Sequence, residues 1–121
     1  MGYQLRPCEV REMTEPERAY IGAMIEGEGN VRLYNAHKSC AACRTGGGHW
    51  RITVVNTDVE IISALLRATG VGRITRRTPE KLENKPCYSW FVGRYNDILS
   101  LVRQSARYST KLQQVTESGW L

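Results

Sequence analysis

The chain has 121 residues, 41% hydrophobic and 24% charged, with 17 Lys and Arg against 12 Asp and Glu for a net charge of +5. That suits a single globular domain. No run approaches the roughly 20 apolar residues of a membrane span, and the opening "MGYQLRPCEVREM" lacks the apolar core of a secretion signal, so a soluble, intracellular protein is expected. Arginine greatly outnumbers lysine, and its planar fork matches phosphate and guanine, so a polyanionic partner fits the charge.

Thr14-Glu15-Pro16-Glu17 is a helix-start signature: Thr14 caps, Pro16 suits the first turn, and Glu17 completes a capping box. The helix is expected from about Glu15 to Gly27. Ala19, Gly22, Ala23, Glu26 and Gly27 fall on one stripe of small residues at helical spacing. A mid-helix glycine costs up to about 1 kcal/mol relative to alanine, so Gly22 implies another backbone close by. Glu26 and Glu28 raise an electrostatic problem. They stand at the helix C-terminus, where the dipole disfavours acids, and something positive should offset them.

Beyond Gly29 the period changes to two. "NVRLYNAHK" (30–38) and "HWRITVVN" (49–56) each alternate an apolar face with a polar, arginine-bearing one, and "SCAACRTGGG" joins them as a hairpin loop. "TDVEIISALLRATGVG" reads as a second helix capped by Thr57 or Asp58 and stopped by Gly70. Two more strands follow, "GRITRRT" and "CYSWFVG", around the polar loop "PEKLENKP". "YNDILSLVRQSARYSTKLQQV" closes the chain as one helix or two short ones.

The expected fold is therefore α+β, in the order αββαββα, with a four-stranded antiparallel sheet carrying its helices on one face. The other face is open and basic. Arg32, Tyr34, Lys38, Arg51, Thr53, Arg73, Thr75 and Arg77 lie there, with His49 and Arg44 near the loop. Such a face suits strands laid along a duplex groove, where every second side chain reaches base edges; a merely solvated antiparallel face has the same alternation.

Four cysteines, Cys8, Cys40, Cys43 and Cys87, occur without an export signal, so disulfides are not expected. "HKSCAACRTGGGH" places Cys40 and Cys43 between His37 and His49. A single CxxC in a Gly-rich loop falls short of the paired pattern that marks zinc sites, so free thiols are preferred to zinc.

Ile21–Gly29, "IGAMIEGEG", resembles the nine-residue signature of the LAGLIDADG homing endonucleases. Ile21, Met24 and Ile25 take the apolar positions, Glu26 and Glu28 the acids, and Gly29 the terminal glycine. Gly22-Ala23 reverses the family's Ala-Gly order and keeps both positions small. The resemblance extends to the element order, to "NTD" opening and "ATGVG" closing the second helix, and to "RYSTKLQQ" near the end.

The resemblance implies a homing-endonuclease fold with a saddle-shaped sheet in one domain, residues 1–121. It implies two signature helices packed side by side through Ala19, Gly22, Ala23 and Glu26. As the chain holds one copy of the motif, the second must come from another chain, giving a homodimer on a near-palindromic double-stranded DNA target. Glu28, with the Gly27 carbonyl, would bind Mg2+, for which Mn2+ could substitute, and the cation would offset the repelling acids. Lys111 would stabilise charge on the phosphate or position solvent. Asn56 would position water, although it reads nearly as well as a cap for the following helix. The activity implied is hydrolysis of both DNA strands in intron or intein mobility. The alternatives are an inactive DNA-binding protein or RNA maturase on the same scaffold, and a zinc-dependent interaction module.

Overall fold

The computed structural model describes residues 10–34, 49–78 and 85–119 of the chain. Helix α1 spans Glu15–Glu28 and begins with the expected capping box, in which the Glu17 N–H donates to Thr14 Oγ1 and the Thr14 N–H to Glu17 Oε1 at 2.9 Å. Strand β1, Gly29–Tyr34, follows without a loop. Strand β2, His49–Asn56, alternates buried Trp50, Ile52 and Val54 with half-buried Arg51 and Thr53, as its period-two sequence requires. Helix α2, Val59–Thr69, is capped by Asp58, which accepts from the Glu60 N–H at 2.9 Å, and stops at Gly70 in the left-handed region at φ 74°.

Strands β3, Arg73–Arg77, and β4, Cys87–Val92, complete an antiparallel four-stranded sheet in the order β1-β2-β4-β3. The central strands β2 and β4 supply the sheet's most deeply buried side chains, Ile52, Val54, Trp90 and Val92, with Val31 of β1 and Trp50 of β2 beside them. Ile21 and Ile25 of α1 and Ile62 and Leu65 of α2 join them in one core. Trp90 donates its indole N–H to the Val71 carbonyl at 2.9 Å.

The last segment divides in two. Helix α3, Tyr95–Ser105, runs into a 3-10 turn, Ala106–Tyr108, and helix α4, Thr110–Glu117, starts afresh at the N-cap Ser109. Buried Leu101 and Leu112 bring both helices onto the same core. The helices thus cover one face of the sheet. Among the described residues, no helix is long and apolar enough to cross a membrane.

Candidate functional site

The end of α1, the start of β1, the end of β2 and the start of α4 converge on the two C-terminal acids of α1. Glu26 points at α4. Its carboxylate accepts from Ser109 Oγ at 3.2 Å, from Thr110 Oγ1, and from the Lys111 N–H at 3.0 Å. An anion there meets the positive end of a helix dipole and satisfies a backbone donor left over by the helix start. The Thr110 hydroxyl, then the Lys111 N–H, holds the Glu26 carboxyl below its ordinary 4.5. Glu26 therefore needs no external cation.

Glu28 is exposed, and its partner among the described residues is neutral. Asn56 Nδ2 donates to Glu28 Oε2 at 3.0 Å, while Asn56 Oδ1 accepts from the Asp58 N–H at 2.8 Å. Asn56 thus both caps the approach to α2 and orients the acid. On the other side, Lys111 Nζ donates to the carbonyl of Gly29, next to Glu28, at 2.8 Å. Glu28, Asn56 and Lys111 lie far apart in sequence and meet around one helix end. Among the described residues, no three His, Cys, Asp or Glu side chains are grouped as metal ligands. The oxygen donors one chain offers are the Glu28 carboxylate and the Gly27 carbonyl, which is among the last carbonyls of the helix and has no partner within it.

Gly22 and Glu26, expected on a face between two chains, make close contacts within this one. A Cβ on Gly22 would lie 2.5 Å from Tyr108 Cβ and 2.9 Å from the Ser105 carbonyl oxygen, so the close backbone that Gly22 implies is the chain's own 3-10 turn. Ala19 is half-buried, and the exposed line on α1 is Tyr20, Ala23 and Gly27.

The open sheet face gathers Arg32, Tyr34, His49, Arg51, Thr53, Arg73, Thr75 and Arg77, placed on one side by the pairing of Arg32 with Arg51, Tyr34 with His49, and Thr75 with Ser89. The Arg51 guanidinium lies between two rings, 4.5 Å from the centroid of Tyr34 and 5.3 Å from that of Phe91. His49 stacks on Tyr34 at 6.3 Å. At one end of this face His49, Arg51, Arg73, Phe91 and Arg94 line a cavity of about 380 Å³. Phe91 and Ser89 escaped the sequence reading, although the alternation of "CYSWFVG" puts both opposite buried Trp90 and Val92. Lys38, Arg44, Cys40 and Cys43 lie outside the described residues, so the placement of those basic residues and the zinc alternative have no structural counterpart here. Cys87 carries a free, half-buried thiol.

An antiparallel four-stranded sheet with helices on one face is the fold this chain shares with a solved homing endonuclease. I-Vdi141I, an archaeal intron-encoded homing endonuclease solved in complex with DNA, matches this structure with a TM-score of 0.53 and 20% identity, over 78% of this chain and 56% of that one. The chain thus spans little more than half the length of that protein, and at this identity the likeness is one of fold. No protein-family model matches the chain, and no curated protein does.

Proposed function

We propose that the chain is a site-specific DNA endonuclease that works as a homodimer and hydrolyses both strands of a long, near-palindromic target. The observation that carries this reading is Glu28: an exposed acid at the wrong end of a helix, oriented by Asn56 and flanked by Lys111, with no ion pair of its own among the described residues. A partly assembled cluster of hard oxygen donors suits a divalent cation that keeps waters and needs only one or two carboxylates beside substrate phosphate, which points to Mg2+, with Mn2+ as a substitute. Bound between Glu28 and the Gly27 carbonyl, such a cation would lower the pKa of the attacking water and neutralise the leaving oxygen.

The chain's own residues do the rest. Asn56 holds the Glu28 carboxylate at a fixed rotation, and Lys111 keeps an ammonium group beside it for a phosphate oxygen. Arg51, ordered in advance between Tyr34 and Phe91, presents its fork to the groove, where a bidentate contact with guanine contributes about 1–3 kcal/mol of discrimination. The second copy of the site comes from a second chain. Gly27 supports that pairing, because no described residue lies within 4 Å of where its Cβ would be. Its own chain does not require a glycine there, whereas a helix packed alongside would.

The test is incubation with duplexes spanning candidate insertion sites, with Mg2+ or with chelator, using wild type and Glu28→Gln. Breaks in both strands are expected from the wild type in Mg2+ alone. Glu28→Gln should bind the duplex but cut at least about 100-fold more slowly, the usual scale for losing a group that stabilises the transition state. Binding without nicks in either Mg2+ or Mn2+ would identify an inactive DNA-binding protein or a maturase instead. A single subunit per duplex in sedimentation would exclude the homodimer.

A further inference from the structure

The acid two residues before Glu28 has a separate task. We propose that Glu26 is a positioning residue: its carboxylate fastens the first turn of α4 to the end of α1 and so sets the Lys111 ammonium on the Gly29 carbonyl, beside Glu28. The consequence for cleavage rests on the nuclease reading above, while the latch itself does not.

α4 is eight residues long, too short to hold its own conformation in water, so its placement depends on anchors. One is apolar, the fully buried Leu112 and Val115. The other is polar and lies at its start. Ser109 Oγ accepts from the Leu112 N–H at 3.2 Å and donates to Glu26, while Glu26 takes the Lys111 N–H and the Thr110 hydroxyl. The apolar anchor holds the helix against the core. The polar anchor fixes where its first turn begins along α1, and with it where the side chain of Lys111 leaves the backbone.

α1 is shaped to receive this segment along one line. The Arg18 carbonyl accepts from Ser105 Oγ at 3.0 Å, Gly22 leaves room for Tyr108, and Glu26 takes the start of α4. These residues recur every four positions, on one face of α1. A carboxylate is the side chain suited to the last point, since every group it meets there is a donor. Glutamine would turn an N–H2 toward one of those donors, and aspartate is a methylene shorter. Glu26 and Lys111 are thus joined twice: by the Lys111 N–H directly, and by Lys111 Nζ on the Gly29 carbonyl, three residues beyond Glu26.

The latch is tested on free protein and then on DNA, with wild type, Glu26→Gln, Glu26→Ala, Lys111→Ala and the Glu26→Ala/Lys111→Ala double variant. Without DNA, the rate at which an amine-acetylating reagent modifies Lys111, read by mass spectrometry, should rise about tenfold in Glu26→Ala, together with amide exchange at Lys111 and Leu112. With DNA, kcat should fall about tenfold or more while KM stays within about threefold, as expected when a reacting group is displaced rather than substrate binding lost. The double variant should cut no more slowly than Lys111→Ala alone, because Glu26 acts through Lys111. Should Glu26→Ala fail to fold, Glu26→Gln carries the same measurements. Unchanged Lys111 acetylation in a folded Glu26 variant overturns the proposal. So do effects of the single substitutions that multiply in the double, which would mark Glu26 as a stabilising cap with no bearing on Lys111. If wild type cuts no duplex, the nuclease reading falls and Lys111 acetylation alone decides the latch.

Discussion

At its N-terminal end α1 carries Glu15 and Glu17, where the helix dipole favours acids; at its C-terminal end it carries Glu26 and Glu28, where the dipole opposes them. The first pair is bound into the fold throughout. Glu17 closes the capping box and pairs with Arg11, and Glu15 takes Arg107 and the Tyr108 hydroxyl. Of the second pair, Glu26 escapes its unfavourable place by reaching the opposite pole of another helix. Glu28 does not. The helix carries no base in its last turn, and among the described residues the Glu28 carboxylate is met by the Asn56 amide. Charge at the wrong pole therefore becomes informative only after the fold's own compensations have been subtracted, and what is left is a single carboxylate. Local rules broken without structural repayment are expected at functional or strained sites.

The same helix offers a contrast between glycines, and it gives the largest effect on stability. Gly22→Ala would place a Cβ 2.5 Å from Tyr108 Cβ and 2.9 Å from the Ser105 carbonyl, neither of which moves without shifting the 3-10 turn. Overpacking of this kind typically costs about 1–3 kcal/mol, and urea unfolding should show a loss of that size. An unchanged midpoint would mean that the C-terminal segment does not dock on α1 as described. Gly27→Ala should act in the other direction. With open space around it, alanine gains up to about 1 kcal/mol of helix propensity, so the free chain should become slightly more stable while pairing of two chains on DNA weakens. Destabilisation of the free chain by Gly27→Ala would erase the contrast.

Where one periodicity decides structure, the sequence was legible. β2 matches its expected span, and α2 takes Asp58, one of its two expected caps, and stops at Gly70 as expected, because strand alternation and helix ends are local. The last segment reads as one helix or two short ones; it divides at the 3-10 turn, where Ser109 caps the start of α4 and Tyr108 packs against Gly22. Glu26 shows the limit of local patterns. Its partners stand 83 to 85 residues further along, and a stripe drawn on a helical wheel cannot say whether the backbone it receives belongs to its own chain or to another. Asn56 was read as a helix cap or as a site residue. Its amide makes a contact in each direction, donating to Glu28 and accepting from the Asp58 N–H, because it has a separate donor and acceptor.

The smallest effect sharpens the comparison between the ends of α1 by treating them alike. Glu17 and Glu26 both hold their carboxyls below the ordinary 4.5, Glu17 chiefly through the Thr14 N–H and Glu26 chiefly through the Thr110 hydroxyl. A carboxyl whose pKa is lower in the folded than in the unfolded chain contributes stability above the unfolded value and loses it as the pH falls through the folded one. Melting temperature should therefore hold near neutral pH and begin to fall close to pH 4.5, continuing below it as these carboxylates take up protons. Glu17→Gln and Glu26→Gln each remove part of that slope and lower stability at pH 7, and Glu28→Gln, which leaves both sets of hydrogen bonds in place, is the control. The two ends come apart in what acid does next. Protonating Glu17 frays the start of α1 alone, whereas protonating Glu26 loosens α4 as well, so amide exchange at Lys111 and Leu112 should accelerate with acid in wild type and already be fast, with a flatter pH dependence, in Glu26→Gln. Protection of those amides that is indifferent to position 26 would show that α4 is held by Leu112 and Val115 alone.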